Sequence, residues 1–259
     1  MEARPSKIPA LTALFWVMKI VATTLGETAG DLLSMTLDVG YAVSSLILVA
    51  FFVVTVGAQL AVKRYHPALY WLVILSTSTA GTTMSDYMDR TLELGYATGS
   101  LVLVGLLGAI FLVWRLLGES FVVTEIRTLK VEVLYWTAIL FSNTLGTALG
   151  DFLADDSGLG FAGGALLIGG LLAVILLLAF FTRAPKTALF WVAFVLTRPF
   201  GATMGDVLTK PGDKGGLNLG TVGSSAVLGG ALVLLVVYAT LRERSRARTR
   251  TSSDASRSA

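Results

Sequence analysis

The chain has 259 residues, of which 54% are hydrophobic and only 14% charged, with a mean hydropathy of +0.76 and a formal net charge of +3. A soluble domain of this length needs a charged surface, so the composition points to an all-α integral membrane protein and to the lipid bilayer as its main partner, with no nucleic acid. The lack of cysteine excludes disulfides, thiolate metal sites and iron–sulfur clusters, and a single histidine, His66, excludes a bis-histidine haem or a zincin centre within one chain.

The first apolar segment, about 9–32, follows Arg4 and Lys7 as a secretory leader would. It is read as a retained helix because it carries the first copy of a repeat. Trp16 is followed ten residues later by Gly26 and fifteen later by Asp31, and a second apolar run, about 39–62, opens with GYAVSS. The pattern returns at 67–88 with Trp71, Gly81 and Asp86, and at 94–116 with GYATGS. A charged connector then carries Arg115, Glu119, Glu125, Arg127, Lys130 and Glu132 and is expected to form a surface loop or interfacial helix. Beyond it come 132–153 with Trp136, Gly146 and Asp151, and 160–182 with GFAGGA. The last pair is 186–208 with Trp191, Gly201 and Asp206, and 218–241 with GTVGSS.

Each run is about the length that spans a bilayer as helix. The reading is eight transmembrane helices in one domain, 1–240, built as four repeats at about 9–62, 67–116, 132–182 and 186–240. Two spans per repeat is an even number, so every copy enters in the same direction and the copies are related by a pseudo-symmetry axis along the membrane normal. Arg4, Lys7, Lys63, Arg64, Arg115, Arg127, Lys130, Arg183, Lys186 and the tail arginines lie at the termini and between copies, whereas the opposite loops are mainly acidic, with Asp38, Asp89, Glu93, Asp155, Asp156 and Asp213 against Arg90, Lys210 and Lys214. The positive-inside rule then places both termini in the cytoplasm. The Ser/Arg-rich tail, 241–259, has no apolar face and is expected to be a disordered, basic, cytoplasmic segment.

Four tandem two-span units, each with W-x9-G-x3-[GS]-D, resemble the bacterial membrane proteins described as carrying a fourfold repeat of unknown function. The resemblance covers about 9–240 and implies the architecture and a multi-pass location in the bacterial inner (plasma) membrane. It implies no substrate, cofactor or catalytic residue.

Gly26, Gly81, Gly146 and Gly201 lie one turn before a small residue, a spacing that lets helix backbones approach, either within each hairpin or around the axis; with the four tryptophans they are read as repeat packing. Asp31, Asp86, Asp151 and Asp206 either end their helices at the interface or form a carboxylate ring at a non-cytoplasmic mouth. An ionisable group in a span is a functional candidate, and carboxylate rings favour cations. Thr24, Thr79 and Thr144 would add a hydroxyl lining, unless they bond to their own helices. Oxygen ligands suit hard ions, though no particular metal is assigned.

Three charges break the symmetry: Lys19, Glu27 and Arg198. In a closed ring copy four adjoins copy one, so Glu27 is expected to pair with Arg198, since burying either alone is costly. Lys19 is expected to snorkel or to meet an acid. The run Thr23-Thr24-Leu25-Gly26 is not a potassium filter, because it continues a full span. No nucleophile–base motif appears, so no enzyme is expected. The leading expectation is a transporter or channel-like permease for a small ion or solute, with a cation favoured. The alternative is a noncatalytic membrane scaffold or a subunit of a sensory or stress-response complex.

Overall fold

The computed structural model describes residues 7–126, 128–212 and 215–257. Arg4, Arg127, Asp213 and Lys214, used above for orientation, lie outside the described residues. Among those described there are eight α-helices and no strand: α1 Ala13–Asp31, α2 Tyr41–Ala61, α3 Pro67–Asp86, α4 Tyr96–Leu116, α5 Leu129–Asp151, α6 Gly160–Phe181, α7 Lys186–Thr209 and α8 Thr221–Arg257. Five of them, α2, α4, α6, α7 and α8 over Thr221–Glu243, are long and apolar enough to cross a membrane. Helices α1, α3 and α5 are of matching length but carry a polar stripe.

That polarity decides the layering. The odd helices α1, α3, α5 and α7 form a closed inner ring in which each packs against the next and α7 returns to α1. Their Ser, Thr and Asp side chains are buried there, whereas the even helices expose side chains such as Leu166, Phe181 and Leu234. A polar interior inside an apolar coat is the arrangement expected when the surrounding solvent is lipid. The even helices do not pack chiefly on their own hairpin partners. Instead α2 packs on α3, α4 on α5, α6 on α7 and α8 on α1, so every repeat is clasped by the one before it.

The motif glycines permit the inner ring to close. An added Cβ on Gly26 would overlap Ser78, one on Gly146 would overlap Arg198, and one on Gly201 would overlap Thr23; at Gly81 it would lie 2.9 Å from the Asn143 and Thr144 backbone. In each case the surface met is the residue seven after the next tryptophan. The glycines thus join successive repeats around the axis rather than the two arms of a hairpin.

Three of the odd helices end in a π-helical turn, at Leu32–Thr36, Tyr87–Thr91 and Phe152–Asp156, while α7 runs straight to Thr209. Each outer loop then enters its even helix through a glycine with φ of +80° (Gly40), +71° (Gly95), +67° (Gly160) or +72° (Gly220). Only glycine adopts that backbone without strain, which explains the glycine that opens every second run.

The connector after α4 is the expected surface loop, in which a short 3₁₀ turn, Val123–Glu125, folds back with Val123 and Ile126 buried, and the Trp191 indole donates to the Phe121 carbonyl at 3.0 Å. The tail expected to be disordered from 241 is helix as far as Arg257. Composition there excludes a packed core but not a helix, because Arg and Ala are good helix formers and an existing helix propagates more easily than a new one nucleates.

Candidate functional site

The inner face of the ring repeats every four residues, which keeps side chains on one side of a helix. Five tiers result, and all twenty of their side chains are buried. From the end that carries the repeat connectors they are Phe15, Tyr70, Tyr135 and Phe190; Lys19, Ile74, Ile139 and Phe194; Thr23, Ser78, Asn143 and Arg198; Glu27, Thr82, Thr147 and Ala202; and finally Asp31, Asp86, Asp151 and Asp206.

The first tier is an aromatic plug. Each of its rings lies between the tryptophan of its own repeat and that of the next: Phe15 with Trp71 at 5.6 Å, Tyr70 with Trp136 at 5.6 Å, Tyr135 with Trp191 at 6.1 Å, and Phe190 with Trp16 at 5.8 Å. The eight rings make a continuous belt. Inside it Tyr70 Oη and Tyr135 Oη share a hydrogen bond of 2.9 Å, and Phe15 faces Phe190 at 6.4 Å. Each motif tryptophan thus packs between two rings of the first tier.

Above the plug the axis is filled by two basic side chains. Lys19 is fully buried, its Nζ 4.2 Å from the Phe194 ring centroid and 3.5 Å from Asn143 Oδ1. It neither snorkels nor meets an acid, because its helix position points it across the ring onto an aromatic face that stabilises an ammonium. The Arg198 guanidinium reaches every other odd helix. Its Nη2 donates to Glu27 Oε2 at 2.9 Å, to Thr82 Oγ1 at 2.6 Å and to Thr147 Oγ1 at 2.6 Å. Glu27 and Arg198 thus meet across the junction between the last and first repeats.

The fifth tier forms the outer mouth. Its carboxylates are held in two pairs by two partly exposed cations. Arg90 Nε lies 3.0 Å from Asp86 Oδ1 and its Nη2 3.4 Å from Asp151 Oδ2. Lys210 Nζ lies 3.3 Å from Asp206 Oδ1 and 3.1 Å from Asp31 Oδ2. Burial works against the charge on both cations, but the flanking aspartates overcome it and hold each pKa above its ordinary value. Arg90 and Lys210 sit four residues after the motif Asp in copies two and four, where copies one and three have Met35 and Asp155. The mouth is therefore twofold although the ring is fourfold.

The structure brings Asp31, Asp86, Asp151 and Asp206 to one level. Glu27, Asp31 and Asp206 place carboxylate oxygens within 4.8 Å of one another, an all-oxygen set that suits a hard cation. Two of the three are engaged by Lys210. Thr79 and Thr144 donate to Leu75 and Leu140 of their own helices, at 3.2 and 3.0 Å, and Thr24 is buried one residue beyond the third tier. The hydroxyls that line the axis at Arg198 are instead those of Thr82 and Thr147. Arg90, Lys210 and Thr82 did not stand out in the sequence, yet each was marked there by its offset of four from an axial residue.

No curated protein and no solved structure matches the chain. A family model described as Repeat of Unknown Function (DUF347) matches four times, at residues 14–65, 69–119, 134–184 and 189–245. Each match holds one inner helix with the outer helix that follows it, and together they take in most of the sequence. The chain belongs to this family of tandem repeats, with four copies closed into one ring.

Proposed function

We propose that the protein is a channel-like permease for a small cation, with all eight helices crossing the bacterial inner membrane and both termini in the cytoplasm. The polar inner helices cross because the apolar outer helices shield them from lipid. The orientation follows from Lys7, Lys63, Arg64, Arg115, Arg183 and Lys186 collecting at the end opposite the aspartates.

The observation that carries this reading is the convergence of four buried carboxylates at one mouth, each pair bridged by a single cation from the protein itself. Arg90 and Lys210 stand where a permeating ion would bind. An arriving cation competes with them, and their side chains reach the surface in part, which leaves a way outward. Five acidic side chains along the axis, Glu27 and the four aspartates, face four basic ones, Lys19, Arg198, Arg90 and Lys210, so acidic oxygen ligands outnumber the basic groups that engage them. Arg198 and the aromatic belt close the route below, so this conformation is a shut one.

The filled axis also favours a second reading, a noncatalytic membrane component whose ion pairs only lock the ring. Purified protein in proteoliposomes loaded with a cation-sensitive dye separates the two. Flux in the wild type that is lost in folded D86N/D151N supports the permease. No flux of monovalent or divalent cations in the wild type overturns it and leaves the scaffold.

A further inference from the structure

The outer helices break the fourfold pattern at one position, nineteen residues after their leading glycine. There α4 has Trp114, fully buried and 5.7 Å from the ring of Trp191, while α6 has Ala179 and α8 has Ala239. Beside Ala239 the shortfall is small, a cavity of about 40 Å³ next to Trp71. Beside Ala179 it is a groove of about 440 Å³ between α1, α6 and α7. Trp16 lines this groove and is the one motif tryptophan left partly exposed; Trp71, Trp136 and Trp191 are buried.

The remaining lining is apolar, chiefly Leu172, Leu176, Phe190 and Ala193, apart from Thr197 at the far end and Lys186 at the rim of the connector end. Lys186 is exposed and has no acidic partner among the described residues, and Arg183 is exposed three residues before it. From Lys186 to Thr197 the groove follows α7 for eleven residues, about 16 Å at the rise of an α-helix. A volume of this size lies within the range of small-ligand sites. An apolar slot that opens sideways from an outer layer of membrane-crossing helices, with a basic rim at interfacial depth, fits a lipid chain joined to an anionic headgroup.

We propose that this groove is a binding site for one anionic phospholipid, its acyl chain against Trp16 and Ala179 and its phosphate on Lys186. The lipid supplies in the third repeat the apolar mass that Trp114 supplies in the second. The site rests on the membrane placement of the outer helices and not on what crosses the axis.

The test is native mass spectrometry of the delipidated full chain after exposure to phosphatidylglycerol or phosphatidylcholine, with melting temperatures measured in parallel. The wild type is expected to retain one phosphatidylglycerol and to melt higher with it than with phosphatidylcholine. A179W, which copies the second repeat, is expected to lose both the retained lipid and the shift. K186Q is expected to keep a bound lipid but lose the preference between headgroups. Equal retention by A179W and wild type, or no preference in the wild type, overturns the site. If A179W does not fold, A193F narrows the same groove from α7 and is read in the same way.

Discussion

Arg198 Nη2 lies 2.9 Å from Glu27 Oε2, and this contact links residues 171 positions apart across the seam where the ring closes. Both side chains are buried, so removing one leaves the other charged without its partner. E27Q and R198M are each expected to lower stability by about 3–5 kcal/mol. The double variant E27L/R198M should recover most of that loss, as read by thermal melts in detergent. Additive losses in the double variant would show that the two groups are not coupled.

At the outer mouth, R90Q and K210Q should each free one aspartate pair and leave the other bridged. Each variant is expected to melt lower than the wild type in chelator and to gain more than the wild type from added Mg²⁺ or Ca²⁺, since a ligand that prefers the folded state stabilises it. Adding D86N and D151N to R90Q should abolish the gain. An unchanged cation response in both single variants would contradict competition between these side chains and ions.

The two tyrosines of the plug share one hydrogen bond, and losing one hydroxyl strands its buried partner. Y70F is expected to cost about 1 kcal/mol, while Y70F/Y135F should lie closer to the wild type because no polar atom is then left unpaired. Chemical denaturation followed by tryptophan fluorescence would report both, since Trp71 and Trp136 touch these rings.

Glycine substitutions should divide by position. G81A forces a Cβ to within 2.9 Å of the α5 backbone and is expected to destabilise by about 1–3 kcal/mol through overpacking. Gly108, on the outer side of α4, has nothing within 4 Å of an added Cβ, so G108A should be neutral or stabilising by up to roughly 1 kcal/mol from helix propensity. Melting temperatures of the pair check the contrast in sign.

In the outer turn beyond α3, burial pushes the Asp89 carboxyl up to about 6, against the hydrogen bond from Ser85 and the charge of Arg90. Its folded value therefore exceeds the unfolded one, near 3.8. The folded state holds the proton more tightly, so stability is greatest below that window and falls as pH rises through it. Melts of wild type and D89N between pH 4 and 7 should converge at the acid end only if this group is responsible, with the variant flatter across the window.

The architecture was legible because the chain repeats it four times. Trp, Gly and Asp at constant offsets marked the inner helices, and opposite apolar runs marked the outer ones. The pairing of Glu27 with Arg198 was legible too, because ring closure sets copy four beside copy one and burying either charge alone is costly. What stayed hidden depended on handedness and tilt. Which hydroxyl faces the axis, Thr79 or Thr82, turns on a rotation of the helix that periodicity of about 3.6 does not resolve over so few turns. Arg90 and Lys210 read as loop charges because nothing in composition shows that the chain stays helical past the motif Asp. The clasp of each outer helix on the following repeat is a long-range choice with no local signature.

That clasp has a consequence for biosynthesis. Helix α1 is synthesised before the helices it packs against, α3 and α7 in the ring and α8 in the outer layer, and α7 and α8 follow all the other helices described. At typical elongation rates the 171 residues between Glu27 and Arg198 take on the order of ten seconds or more to synthesise. On the proposed membrane placement, Lys19 and Glu27 stand throughout that interval on a helix too polar to rest in lipid alone. The proposal therefore expects the nascent helix to need shelter until its late partners arrive, and a chain truncated before α7 to fail to assemble.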